Sequence, residues 1–211
     1  MFIKFYKTIH NKFSRFFAFI FFLRYLFGLF FISLAIFLSI PALFDYDKKA
    51  NYIKFHLLEN YNFNIKNYEN IEYNIFPLPN LDLTNVEIGF KSISEDLKVE
   101  NMKIYPDFFS IYNYENFNSK KISLKDSDIQ FQISNIKPLI NQLFNKKKYL
   151  NFDNLNLRII DEKTSLITVN NIRFANYGYN KNLIVGKIFN KNFKIYLDNN
   201  IKNINFELLN S

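Results

Sequence analysis

Few residues in this chain carry the groups that acid–base, nucleophilic or metal chemistry needs. Cysteine is absent and histidine occurs twice, at His10 and His56, among 211 residues. A thiol nucleophile, a disulfide framework and a Cys-based zinc site are therefore excluded. His10 has no acidic residue upstream or nearby to orient it, the first being Asp45. His56 lies between Ile53 and Leu57 and near Glu59 and Asn60 in a helical pattern, and reads as a surface histidine. Asp126 and Asp128 form a close carboxylate pair, but their place at a strand junction is one that turn chemistry explains. No phosphate-binding loop, nucleophile elbow or zinc-helix motif occurs. The expectation is a protein that is not an enzyme, with no catalytic residue, no cofactor and no metal site.

The charges point to a membrane rather than to nucleic acid. All 19 acidic residues lie at or after Asp45, whereas Lys4, Lys7, Lys12, Arg15 and Arg24 precede it. Of 27 Lys and Arg, 22 thus face those 19 acids, and much of the net charge of +8 belongs to the N-terminus. A nucleic-acid-binding face would instead gather its cations in the folded region among stacking aromatics. The one compact cluster, Lys146 to Lys148, reads as a solvated turn. Aromatic content of 19% with only four Gly and five Pro supplies enough apolar surface for a packed core.

Residues 25–44, YLFGLFFISLAIFLSIPALF, carry no charge and have the length of a membrane-crossing helix. Thirteen of them are Leu, Ile or Phe, which favours insertion by about 4–8 kcal/mol. Arg24 would cost about 2.5–3.5 kcal/mol at the bilayer centre, so it is expected at the membrane edge, snorkelling to the cytoplasmic side. Ile40, Pro41, Ala42 and Leu43 offer no small-x-small cleavage pair, favouring an uncleaved anchor over a signal peptide. The positive-inside rule puts residues 1–24 in the cytoplasm and residues 45–211 across the membrane. Upstream, Phe2, Phe5, Ile9, Phe13, Phe16 and Ile20 recur at helical spacing; this fits an amphipathic interfacial helix or an extension of the same membrane helix.

Beyond the span, Ala50, Ile53, Leu57 and Tyr61 predict a short amphipathic helix over residues 47–61. From Phe63 onward the period is mostly two: Leu81/Leu83, Val86/Ile88, Leu97/Val99, Met102/Ile104, Ile129/Phe131/Ile133 and Leu155/Leu157/Ile159 read as half-buried antiparallel strands. Ile136, Leu139, Ile140 and Leu143 interrupt them with a short helical pattern. A more specific signal is the string apolar-x-apolar-x-Asn-apolar-x-apolar, centred on Asn80, Asn85, Asn101, Asn154, Asn171 and Asn176. Apolar residues two and four before the Asn, and one and three after it, cannot share one face of a regular strand. A bulge or a tight turn must reset the phase, and Asn tolerates the left-handed backbone that this requires. The expected product is an α+β protein: a single transmembrane helix, a short amphipathic helix, and a curved, mostly antiparallel sheet with an apolar groove.

The order of these elements resembles the N-terminal region of the AsmA family, envelope proteins related to the bridge-like lipid-transfer proteins. The matching residues are Leu43, Phe44 and Asp45 after the span, Ile53 and Leu57 in the helix, and Phe63-Asn-Ile65. Above all, residues 71–89, and within them Phe76-Pro77-Leu78-Pro79-Asn80-Leu81-Asp-Leu83-Thr-Asn85-Val86, look like the family's Phe-Pro-x-Pro-Gly-Leu-x-Leu-x-x-Val stretch. Residues 97–104 and 121–131, with Asp126-Ser127-Asp128, resemble the strands that follow. The chain departs where the family has Thr-Gly-Arg after the helix and Gly after the second Pro; here stand Glu59-Asn60-Tyr61-Asn62 and Asn80. The resemblance implies an inner-membrane anchor, a periplasmic β-groove, and a role in lipid transport or outer-membrane homeostasis. Its partners would be membrane lipids, phospholipid or glycolipid, with no nucleic acid. Leu81, Leu83, Val86, Ile88, Leu97, Val99, Leu155 and Leu157 are the candidate groove-lining residues; ordinary sheet core is the competing reading of each. Two other roles remain open: an assembly protein that docks envelope partners by strand addition, and a jelly-roll anchor of lipopolysaccharide transport.

Overall fold

The computed structural model describes residues 14–90, 94–138, 148–179, 181, 183–197 and 204–209. These form two compact units, residues 1–43 and 44–211. The first contains helix α1, Ser14–Ser39, followed by a 3-10 turn, Ile40–Leu43. The segment Ala18–Leu43 is long and apolar enough to cross a membrane, and most of its large apolar side chains are exposed. Helix α1 runs through Arg24 without a break, so for residues 14–24 the reading as an extension of the same helix holds. Most of the interfacial pattern upstream, residues 1–13, lies outside the described residues, as do residues 139–147 of the second helical pattern and of the lysine cluster.

The second unit opens with α2, Tyr46–Tyr61. The Asp45 carboxylate accepts from the Lys48 backbone N–H at 3.3 Å, supplying one of the partners that a helix N-terminus lacks. Asn62 ends the helix in left-handed geometry, φ 52°, its N–H turned back to the carbonyls of Leu57 and Leu58. Ala50, Ile53, Leu57 and Tyr61 are all buried, as their spacing predicts.

Among the described residues ten strands follow: β1 Phe63–Asn67, β2 Asn70–Asn74, β3 Asn80–Phe90, β4 Asp96–Pro106, β5 Ser119–Gln132, β6 Tyr149–Asp161, β7 Thr164–Ala175, β8 Leu183–Ile188, β9 Lys191–Leu197 and β10 Ile204–Leu209. They make one sheet in the order β1-β3-β4-β5-β6-β7-β8-β9-β10, with β2 beside β1 along β3. One sheet differs from the two packed sheets of a jelly roll. All pairings are antiparallel except β5 with β6. A parallel pair needs a long crossover, here residues 133–148, in which Ile133–Asn135 form a 3-10 turn and residues 136–138 are helical.

The left-handed residues within the strands line up across the sheet. Asn85 (φ 49°), Asp126 (φ 51°), Asn154 (φ 64°) and Asn171 (φ 53°) occupy β3, β5, β6 and β7. Along this line the pattern of inward residues slips by one. In β3 the buried set changes from Leu81 and Leu83 to Val86 and Ile88; in β4, from Met102 and Ile104 to Leu97 and Val99 across Glu100; in β5, from Ile122 and Leu124 to Ile129 and Phe131. Asn85, Asn154 and Asn171 thus bear out the phase-reset reading. Asn80, Asn101 and Asn176 are not left-handed. Asn176 instead brackets the start of β6, accepting from the Leu150 N–H at 2.7 Å and donating to the Lys148 carbonyl at 2.8 Å. Asp126 and Asp128 lie within β5 rather than at a junction, and Asp126 does for its strand what Asn does for the others.

On the outer face the line is held by polar side chains. Asn85 donates to Glu69, Asn154 donates to Asp126 at 2.6 Å, and Asn156 donates to Asp128 at 3.1 Å while accepting from the Asn171 N–H at 3.2 Å.

Left-handed backbone costs an L-residue about 1–2 kcal/mol, least for Gly, Asn and Asp. Asn154→Val is therefore expected to lower stability by about 2 kcal/mol or more, since it adds β-branching and removes the bond to Asp126. Asn154→Gly should lose less. Urea denaturation of the detergent-solubilised protein, followed by circular dichroism, measures the difference.

Candidate functional site

The register places apolar side chains in rows that cross the whole sheet. One row joins Ile71, Leu83, Met102, Leu124, Phe152, Phe174, Ile184, Ile195 and Phe206, partner to partner from β2 to β10. Beyond the left-handed line a second row joins Ile65, Ile88, Leu97, Ile129, Leu157, Val169 and Ile188 from β1 to β8. At the usual strand spacing the first row is about 38 Å long.

Cover over these rows fades from one side to the other. α2 packs on the β1 and β2 side, and the row is fully buried through Phe174. Ile184 and Ile195 are half-buried, and Phe206 and its neighbour Leu208 on β10 are 52% and 51% exposed. In the second row Leu157, Val169 and Ile188 are half-buried. The Phe193 ring stacks on Phe206, centroids 5.9 Å apart, and lies over Gly186, where a Cβ would come within 2.8 Å of it. Glycine at 186 is what lets an aromatic ring lie flat across β8.

The predicted lining residues all fall on this one face. Leu81, Leu83, Val86, Ile88, Leu97, Val99 and Leu155 are buried within the core cluster, and Leu157 is partly buried and packs against it. The structure thus brings them together, with only Leu157 at the boundary of the uncovered part. Ile184, Ile195, Phe206 and Leu208 carry the face onward and were not singled out from sequence. Their signal was present as alternation in Ile195-Tyr-Leu197 and Ile204-Asn-Phe206-Glu-Leu208, short runs with little apolar content around them. Arg24, the expected edge anchor, is exposed on α1.

The opposite face is polar. Between β6 and β10 it holds a shallow depression of about 520 Å³, lined mainly by Asp153, Asn154, Arg173, Lys187, Asn192 and Lys194.

His56 is not the surface histidine that its spacing suggested; it is 5% exposed. Its Nε2 lies 2.9 Å from the Ser119 Oγ and its Nδ1 3.2 Å from the Asn60 Nδ2. An amide NH₂ can only donate, so Nδ1 accepts and the proton sits on Nε2, donating to Ser119. Tyr61 Oη stands 3.4 Å from the same Ser119 oxygen, and burial raises the tyrosine's pKa. The grouping has the parts of a nucleophile and base, but Ser119 has no exposed surface. What it does is tie α2 to the first residue of β5 through buried hydrogen bonds. Helical spacing put His56 beside Ile53 and Leu57; only the fold could reveal Ser119, 63 residues away, as its partner. Among the described residues, no group of three or more His, Asp or Glu is placed to hold a metal.

Burial, reinforced by the positive charge of Lys148 and opposed by Asp107, lowers the pKa of His56 from 6.5 to about 4. The unfolded chain then binds the proton first as pH falls. The stability associated with neutral His56 is whole above pH 6.5 and is lost progressively down to about pH 4. The loss should be about 1–3 kcal/mol, allowing for screening. His56→Gln should flatten the pH dependence of the urea midpoint over that window.

Comparison of the chain with protein-family models, with curated proteins and with solved structures gave no match.

Proposed function

We propose that this protein is a membrane-anchored β-groove that holds lipid acyl chains, acting in envelope lipid transport or outer-membrane homeostasis. The observation that carries the reading is the apolar row from Ile71 to Phe206, sealed under α2 at one side and about half exposed at the other. Soluble surfaces rarely leave such a row uncovered without an apolar partner. An acyl chain laid along it would gain about 0.8 kcal/mol for each methylene withdrawn from water. The apolar segment Ala18–Leu43 would serve as the inner-membrane anchor, with residues 1–24 cytoplasmic and the sheet in the periplasm. The resemblance to the AsmA family, resting on the residues quoted above, points the same way.

The order of burial divides the work among residues. Leu83, Met102 and Leu124, fully buried, give the sheet its stability; Leu157, Ile184, Ile195 and Phe206 are where a lipid would lie. The alternative, an assembly protein docking partners by strand addition, would use backbone groups at a sheet edge in place of side chains on the face.

A photo-crosslinking residue placed at Leu157, Ile195 or Phe206 in living cells is expected to capture phospholipid or glycolipid. Placed at Lys194 or Glu207, on the polar face, it should not. Protein adducts from Phe206 with no lipid at any apolar position would replace the groove by a docking surface. Ile195→Asp should reduce lipid retained after mild detergent purification, since it puts a charge where the acyl chain would lie.

A further inference from the structure

One end of the sheet carries apolar side chains that the groove does not use. The loop between β2 and β3, residues 75–79, presents Phe76, 85% exposed, and Leu78, 62% exposed. The loop between β4 and β5, residues 107–118, presents Phe108 and Phe109, 50% and 73% exposed, with rings packed edge to face at 4.9 Å. Register puts both loops at the same end, because Leu81 at the start of β3 pairs with Ile104 near the end of β4, and Pro106 pairs with Ser119 at the start of β5.

The chain's own connectivity assigns that end its surroundings. Phe44, which directly follows the apolar segment Ala18–Leu43, packs edge-on against Tyr112 of the second loop, centroids 6.4 Å apart. Lys49 lies over the Phe44 ring at 4.5 Å, and Lys120 at the start of β5, ion-paired with Asp107 of the loop at 3.7 Å, is otherwise exposed. Phe44, bonded to Leu43 and the first residue of the sheet unit, therefore packs beside the β4–β5 loop. Aromatic tips with lysines around them match the chemistry of a bilayer's interfacial zone, where rings sit at headgroup level and cations meet anionic lipid.

We propose that Phe76, Leu78, Phe108 and Phe109 insert into the interfacial layer of the membrane in which α1 is anchored, so that this end of the sheet docks on the bilayer. The proposal rests on the anchor reading but not on the groove carrying lipid. A peripheral element of this kind sinks its apolar side chains about 5–10 Å into the headgroup boundary. Four large side chains on two loops would fix the sheet's tilt over the membrane in a way that one tether at Leu43 does not.

The chain contains no tryptophan, so a single introduced one reports its own depth. Full-length Phe76→Trp and Phe109→Trp would be reconstituted into vesicles of phosphatidylcholine and phosphatidylglycerol, brominated on the acyl chain either near the headgroup or near the terminal methyl. The controls are Leu166→Trp, next to the β6–β7 turn at the other end of the sheet, and Leu29→Trp on α1. The expected result is blue-shifted emission at positions 76 and 109, quenched by bromine near the headgroup, with position 166 unquenched and position 29 quenched by the deep bromine. Quenching at position 29 without quenching at 76 and 109 would overturn the docking while leaving the anchor standing. Equal quenching at 166 would overturn it too, since the sheet would then lie along the surface. An unquenched position 29 would remove the anchor and the docking together.

Discussion

The alternation of side chains along a strand governs everything else in the sheet unit. A regular strand of the length of β5, 14 residues, keeps one face apolar only if its pattern stays strictly in step. Long, flat strands also make sheets that neither bend nor close over a core. The transverse line from Asn85 through Asp126 and Asn154 to Asn171 resolves both demands. At each crossing the chain passes through left-handed or bulged geometry, and the inward set resumes one residue out of step. Bulges of this kind bend a strand and increase its twist. Because they line up in neighbouring strands, the bend belongs to the sheet rather than to one ribbon.

From that constraint follows the division between the two faces. The inner face is apolar on both sides of the line: Leu83 and Met102 on one side, the middle residues Val86, Val99 and Leu155, and Ile88 and Leu97 on the other all point inward and are buried. Ser127, buried on the same face between Val99 and Leu155 in register, is the small residue of the middle row. The outer face must satisfy amides and carboxylates that the irregular backbone leaves there, and does so with bonds such as Asn154 to Asp126 and Asn156 to Asp128. α2, together with buried Ile111 and Phe117 of the β4–β5 loop, then covers part of the apolar face as core. It packs at the β1 side, and its buried His56 is held to Ser119 at the start of β5, so its reach stops well short of β10.

The sequence made much of this legible because the features concerned are local. Helix α2 was readable from Ala50, Ile53, Leu57 and Tyr61, and β3 to β6 from their alternation. Three of the six repeated asparagines proved left-handed because a one-residue phase slip leaves a trace in the linear pattern. Asp126 escaped because the string demanded Asn, although Asp shares the same short polar side chain and the same tolerance of positive φ. Asn80 and Asn176 satisfied the string without the geometry because they serve at the start of β3 and in the bracket of β6, whereas Asn101 marks the slip in β4 without a left-handed backbone. The parallel pairing of β5 with β6, the burial of His56, and the gradient of exposure along the apolar rows depend on which segments meet, and no local pattern carries that.

The exposure gradient also bears on the lipid contact proposed above. A closed barrel or a two-sheet sandwich encloses its ligand, so that binding requires an opening motion. A single sheet covered from one side offers a face that is continuous with its own core: the ring of Phe174 is buried, Ile184 and Ile195 beside it are half-covered, and Phe206 is half exposed, with no polar side chain interrupting the row. An acyl chain on such a face would meet the same packing partners that the core residues meet, and would need no conformational change to arrive or leave. Affinity for any one lipid would then scale with apolar area alone, and selectivity would have to come from groups outside the row.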